Sequence, residues 1–283
     1  MPARPPSSGG REFHGPLDGG IRGAEVVLVE GSPPACDPPS LASRLERGVV
    51  QVHWFPTDLP AARLDQLARL LADGERARAE RFRLPLDRNR YVAARGQMRI
   101  LLAGWLGQVP AAVAIEPGRD GKPEVRSVPG TERIQFNLSH SEGVGVLAIG
   151  IEDELGIDVE RIRPMPDALA IAEKVFAVGE ILALRGMADG ARTEAFFRYW
   201  TRKEAVVKSL GRGLSHPLDG FELTPDGVAP ERVVFPGEGP SAARWVLPLA
   251  PPYPGFVAAV AIGGALPRIC SSSSDVIGLS ASA

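Results

Sequence analysis

The run Leu155-Gly156-Ile157-Asp158-Val159-Glu160 constrains this chain more than any other stretch. Apolar and charged residues alternate with a period of two, the pattern of a half-buried strand. On a strand, residues i and i+2 point the same way. Asp158 and Glu160 therefore share one face, while Ile157 and Val159 turn to the core. Two neighbouring carboxylates repel each other, and a hard divalent cation between them would relieve the repulsion. An exposed edge strand with two solvated acids has the same pattern, so spacing alone leaves both readings open.

A second stretch bears on the choice. Trp200-Thr201-Arg202-Lys203-Glu204-Ala205-Val206-Val207-Lys208 reads as helix, with Gly211 as its terminator. Trp200, Glu204 and Lys208 are four apart and stack along one face. An ordinary surface Glu-Lys pair would stabilise such a helix by about 0.3 kcal/mol. The functional reading makes Glu204 a third oxygen ligand or a base, with Lys208 one turn on, facing a phosphate.

Of the 283 residues 44% are hydrophobic and 23% charged, as in a globular protein. A formal net charge of -2 argues against a nucleic-acid binder, which usually carries a basic excess. The two cysteines, Cys36 and Cys270, make neither a zinc-ligand spacing nor a disulfide framework, so a reducing, cytoplasmic setting is expected. Residues 1–46 are rich in Pro, Gly and Ser and predict a disordered tail without a signal peptide. Residues 267–283, Ser-rich, predict a second flexible tail. No apolar run reaches the ~18 residues of a membrane span.

Between the tails, residues 49–55 predict a strand with Val50, Val52 and Trp54 inward and His53 on the surface. Residues 61–71 and the charged 75–82 predict helices. A better helix, 90–106, carries Arg90, Arg95 and Arg99 among small side chains, where they are either solvated or lining for a polyphosphate pocket. Asp120-Gly121-Lys122-Pro123 is a turn that either exposes Lys122 or holds it rigid toward an anion. Residues 134–138 and 144–151 predict strands around the polar break Ser139-His140-Ser141-Glu142-Gly143. No nucleophile elbow is present, and phosphate binding by hydroxyl and imidazole suits that break better. Helices over 168–176, 179–185 and 194–210 and strands over 221–223, 232–235, 243–247 and 256–262 follow. The order predicts an α+β fold. Residues 144–150 resemble 257–263, and two similar halves would place a site at their interface.

Phe136-Asn137-Leu138-Ser139-His140-Ser141, Gly156 to Glu160, Trp200 to Lys208 and Gly211-Arg212-Gly213-Leu214 together resemble the ordered motifs of the 4′-phosphopantetheinyl transferases. Gly121-Lys122-Pro123 matches a further upstream motif. The length resembles the monomeric, two-lobed, surfactin-synthetase-activating class, and the likeness covers residues 48–265. It implies two similar α+β lobes related by a pseudo-two-fold, at 47–151 and 152–266, with coenzyme A between them. It implies transfer of the phosphopantetheine arm of coenzyme A to a serine of an acyl or peptidyl carrier protein, releasing 3′,5′-ADP. Asp158, Glu160 and Glu204 would hold Mg²⁺, Glu204 could also act as base, and Lys208 would meet the leaving phosphate oxygen. Lys122, Ser139, His140 and Arg95, with Arg90 and Arg78 as weaker matches, would bind the coenzyme A phosphates. Trp200 reads as packing. The carrier would dock near residues 162–185. Leu138 and Val159 replace a frequent Ile, and the basic residue often found near Glu75 is missing.

A Mg²⁺-dependent coenzyme A or nucleotide pyrophosphate hydrolase is the enzyme alternative, though no further acids cluster on one helix. A carrier would need an Asp-Ser-Leu attachment site, which the chain lacks. A binder without catalysis should have lost an acid or Lys208. No nucleic-acid or membrane partner is expected.

Overall fold

The computed structural model describes residues 25–28, 45–118, 121–126, 132–211, 217–225, 227–235 and 239–273. Chain order is β1 (Glu25–Leu28), β2 (Val49–Pro56), α1 (Ala61–Ala68), α2 (Asp73–Glu80), α3 (Pro85–Leu106), β3 (Ile115–Pro117), β4 (Pro123–Val125), β5 (Ile134–Ser141), β6 (Val144–Ile151), β7 (Leu155–Arg161), α4 (Ala168–Val175), α5 (Val178–Arg185), α6 (Asp189–Leu210), β8 (Glu231–Val234), β9 (Arg244–Leu249), β10 (Phe256–Ile262) and β11 (Arg268–Ser273). The fold is α+β, as the element order predicts.

Two sheets carry the molecule. One has the order β11-β2-β6-β5, the other β1-β8-β9-β10-β7, and β3 and β4 form a small ribbon. Period-two alternation stacks the two sheets. Val50, Val52 and Trp54 of β2 and Val146 and Ala148 of β6 meet Ile157, Val159, Ala258 and Val260 of the other sheet in one core. The outer faces are closed by helices. Met98 and Leu102 of α3 cover Phe55, Leu147 and Ile149, and Phe196 and Val206 of α6 cover Val246, Ala259 and Ala261. The layers are thus helix, sheet, sheet, helix. Burial on both faces explains why β6 and β10, the two similar segments, read as nearly unbroken apolar runs. They face each other across the middle of the molecule.

The two long helices start and stop as their sequences dictate. Pro85 stands in the first turn of α3, where its missing N–H costs nothing. Gly211 ends α6 in the left-handed region at φ 71.

β5 and β7 are edges of different sheets, and they lie side by side where the sheets meet. Side chains join them in place of a backbone ladder. Asn137 Oδ1 accepts from the Ile157 N–H at 2.8 Å, and Ser141 Oγ accepts from the Arg161 N–H at 3.2 Å. This seam opens into the candidate site.

Several expectations change. His53 is buried, not a surface residue, because Trp105 of α3 packs over it and β11 runs beside it. β5 continues through Ser139, His140 and Ser141, leaving only Glu142 and Gly143 as the turn. Residues 221–223 carry no strand ladder. Residues 268–273, expected in a flexible tail, form β11, parallel to β2. Trp54 Nε1 donates to Ser271 Oγ at 3.0 Å, so serines that look like tail sequence are held by polar partners in the sheet. Residues 25–28, also assigned to a tail, pair with β8. Cys270 is a buried strand residue and is disulfide-bonded, against the expectation of no bridge. Cys36, Asp120 and the Arg212-Gly213-Leu214 motif lie outside the described residues. Among the described residues no helix is long and apolar enough to cross a membrane.

Candidate active site

Gly156 sets the geometry. A Cβ there would stand 2.3 Å from Ala205 O and 2.4 Å from Ser209 N. Glycine alone lets the backbone of α6 lie directly on β7. Asp158 and Glu160 share the strand face of Gly156, so both acids turn toward α6, the helix that carries Glu204 and Lys208.

Lys208 Nζ reaches Asp158 Oδ1 at 2.6 Å and Ile157 O at 3.3 Å. Ser139 Oγ donates to the same Asp158 oxygen at 2.8 Å. Asp158 Oδ2 is buried and has no hydrogen-bond partner, a costly state for a carboxylate oxygen. Glu160 Oε2 accepts from Ser141 Oγ at 2.7 Å and from Arg163 Nη1 at 3.5 Å. Burial pushes the Glu160 carboxyl above its ordinary range, and the Asp158 charge pushes the same way. Burial likewise raises Glu204. The charges of Asp158 and Glu160 add to that rise, while Lys208 opposes it. The three acids from two distant segments are therefore in electrostatic reach of one another.

Among the described residues no three acid, His or Cys side chains form a ready-made metal cage. The donor set nevertheless fits a hard cation. Three carboxylates repel one another, one buried oxygen is orphaned, and the hydroxyls of Ser139 and Ser141 bond to two of the acids.

Two cavities adjoin this face and share Phe82 and His140. One, of about 310 Å³, is lined by Asp87, Arg90, Glu142, Glu160 and Arg163 as well. The other, of about 250 Å³, is lined by Arg78, Tyr91, Arg95, Phe136 and Asn137. Desolvation in the cleft lowers the His140 pKa, and the Lys208 and Arg90 charges lower it further. Arg90 is held by Asp58 through two bonds of 2.7 and 2.9 Å. Arg78 lies over the Tyr91 ring, 5.7 Å from its centroid.

The structure thus joins Asp158, Lys208 and Ser139 by hydrogen bonds, sets Glu160 and Glu204 within electrostatic reach of them, and places His140, Arg78, Arg90 and Arg95 on the adjoining cavities. Lys122 stands apart. Its ammonium donates to Leu155 O at 2.7 Å, and burial lowers its pKa to about 8. Turned inward under the start of β7, it lines neither cavity. Trp200 stacks on Phe196, with centroids 5.8 Å apart, and serves packing.

Sequence reasoning missed Asp58, Asn137, Ser141 and Arg163. Asn137 and Ser141 lie in a quoted motif, and their alternation with Ser139 on β5 was the available signal. Nothing local reveals Asp58, which meets Arg90 across 32 positions of chain.

Two family models match the chain. The 4′-phosphopantetheinyl transferase superfamily matches residues 154–261, and the N-terminal region of a 4′-phosphopantetheinyl transferase matches residues 52–151. The 4′-phosphopantetheinyl transferase HetI of Nostoc sp. is 36% identical over 216 residues, covering 76% of this chain and 88% of HetI. The chain belongs to the 4′-phosphopantetheinyl transferase family. The 4′-phosphopantetheinyl transferase psf-1 of Bacillus pumilus is 34% identical over 191 residues, 65% of this chain and 78% of psf-1. A 4′-phosphopantetheinyl transferase of Bacillus subtilis is 29% identical over 170 residues, 60% of this chain and 73% of its own length. This phosphopantetheinyl transferase is an enzyme of the transferase class, and these matches lend no support to the hydrolase alternative.

Proposed function

We propose that this transferase moves the 4′-phosphopantetheine arm of coenzyme A onto a serine hydroxyl of an apo acyl or peptidyl carrier protein, releasing 3′,5′-ADP. The observation that carries the residue assignments is the meeting of Asp158, Glu160, Glu204 and Lys208 beside cavities rimmed by arginines and His140. Asp158, Glu160 and Glu204 are the residues that would hold a Mg²⁺ ion, and Asp158 Oδ2 has a lone pair with no other use. Such an ion, when bound, neutralises charge on phosphoryl oxygens.

The chain's own groups supply the rest. The serine Oγ forms a bond to the phosphorus on the pantetheine side of the diphosphate, and the bond from that phosphorus to the bridging oxygen breaks. Glu204 takes the serine proton, directly or through one water. A carboxyl raised by burial is a stronger base than an exposed one. Lys208 leaves Asp158 Oδ1 far enough to donate to the oxygen that departs with 3′,5′-ADP. Arg78, Arg90, Arg95, His140 and Ser139 bind the 3′-phosphate and diphosphate. Lys122 joins them only by releasing Leu155 O.

The two sheet-and-helix halves form lobes at residues 47–151 and 152–266 related by a pseudo-two-fold, and the enzyme acts as a monomer in the cytoplasm. The function is tested by incubation with coenzyme A, Mg²⁺ and a panel of apo-carriers, read by intact mass. Gain of one phosphopantetheine by any carrier supports the reading, and no gain across acyl and peptidyl carriers contradicts it.

A further inference from the structure

We propose that Glu75 is a positioning residue that aims Arg95 at the smaller cavity. This rests on the reading of that cavity as the part of the coenzyme A site that takes the 3′-phosphate.

Glu75 is 8% exposed and stands in the first turn of α2. Its two carboxylate oxygens are divided between two arginines of α3. Oε1 accepts from Arg95 Nε at 2.8 Å and is ion-paired with Nη2 at 2.5 Å. Oε2 accepts from Arg99 Nε at 2.6 Å and from the Ala72 N–H at 2.9 Å. Three hydrogen bonds and the ion pair with Arg95 Nη2 hold the carboxylate in place. Burial would raise its pKa, but the Arg95 charge, the Ala72 bond and Arg99 together hold it below the ordinary value.

The two arginines have different fates. Arg99 is 2% exposed, and its Nη1 donates to Val113 O at 3.0 Å and to Pro110 O at 3.2 Å. It is an anchor that ties Glu75 to the end of α3 and the turn beyond. Arg95 lines the cavity with Arg78 and His140. Its Nε–Nη2 edge is bound to Glu75, and among the described residues its Nη1 reaches only the Met98 sulfur, at 3.5 Å. Sulfur is a weak acceptor. A guanidinium pinned along one edge is pre-organised for an anion on the other side. One carboxylate against two guanidiniums also leaves the cluster with a net charge of +1, set in a poorly solvated wall where it acts strongly on a phosphate.

The test is a double-mutant cycle on Glu75→Gln and Arg95→Met, with coenzyme A and 3′-dephospho-coenzyme A as alternative donors and thermal melting measured on every variant. Glu75→Gln is expected to raise KM for coenzyme A about tenfold, with a much smaller effect on the dephospho donor, and to add nothing once Arg95 is Met. Additive effects of the two substitutions, or equal loss with both donors, would overturn the proposal. A KM unchanged by Arg95→Met would instead overturn the underlying reading of the cavity. Should Glu75→Gln not fold, Glu75→Asp keeps the charge but withdraws it by one methylene. A smaller rise in KM confined to coenzyme A then supports the proposal, and an unchanged preference between the donors overturns it.

Discussion

At the scale of single residues, burial decides which charges work and which only hold the fold. His53 lies between Ser272 Oγ at 2.9 Å and Trp105 Nε1 at 3.4 Å. Trp can only donate, so His53 Nε2 accepts and Nδ1 carries the proton given to Ser272. Burial lowers the imidazole pKa from 6.5 to about 4. The folded value is depressed, so the neutral ring contributes stability above pH 6.5 that is lost as pH falls toward 4. His53→Gln should remove about 2 kcal/mol of the stability lost between pH 6.5 and 5, measured by urea unfolding of both proteins at the two pH values. An identical pH dependence would place the titration elsewhere. The shared face of the proposed reacting groups was legible in the sequence, because acids two apart on a strand and Glu-Lys four apart on a helix have fixed geometry. The residues that hold them were not. Glu75 meets Arg99 and Asp58 meets Arg90 through tertiary packing, which no local period encodes.

At the scale of elements, α6 carries most of the site, and two features fix it. The first is its contact with β7 at Gly156. Gly156→Ala forces the helix backbone away from the strand, so it should cost about 2 kcal/mol and lower kcat more than tenfold by separating Lys208 from Asp158. Thermal melting and kinetics check the two effects together, and a variant with wild-type kcat would mean the close approach is not needed. The second is the pair Lys203 and Glu180, both 0% exposed in their side chains and 2.9 Å apart. Lys203 Nζ also donates to Leu218 O at 2.7 Å and Phe221 O at 2.6 Å. Lys203→Met strands a buried Glu180 and should cost about 3–5 kcal/mol, whereas Lys203→Met with Glu180→Leu should recover part of that loss in denaturant unfolding. A double variant no more stable than the single one would contradict this account. From sequence, Lys203 next to Glu204 looks like one charged patch. The helix turns one side chain outward to the site and the other into the core, and only the packing partners reveal it.

At the scale of the whole molecule, the site exists because two sheets stack with their edges β5 and β7 adjacent. The α+β composition and most strands were legible, since alternation survives in any environment. The placement of β11 was not, because a serine-rich segment has no apolar period and is held by its ladder to β2 and by Trp54 and His53. In the proposed function, acids from β7 and α6 serve one cation beside a bound diphosphate. Mn²⁺, a hard cation with a spectroscopic signal, measures this most directly when titrated into the protein with coenzyme A present. Wild-type protein should bind one Mn²⁺ per chain, and Asp158→Asn and Glu204→Gln should each weaken that binding at least tenfold while coenzyme A still binds. Wild-type Mn²⁺ affinity in Glu204→Gln would contradict the claim.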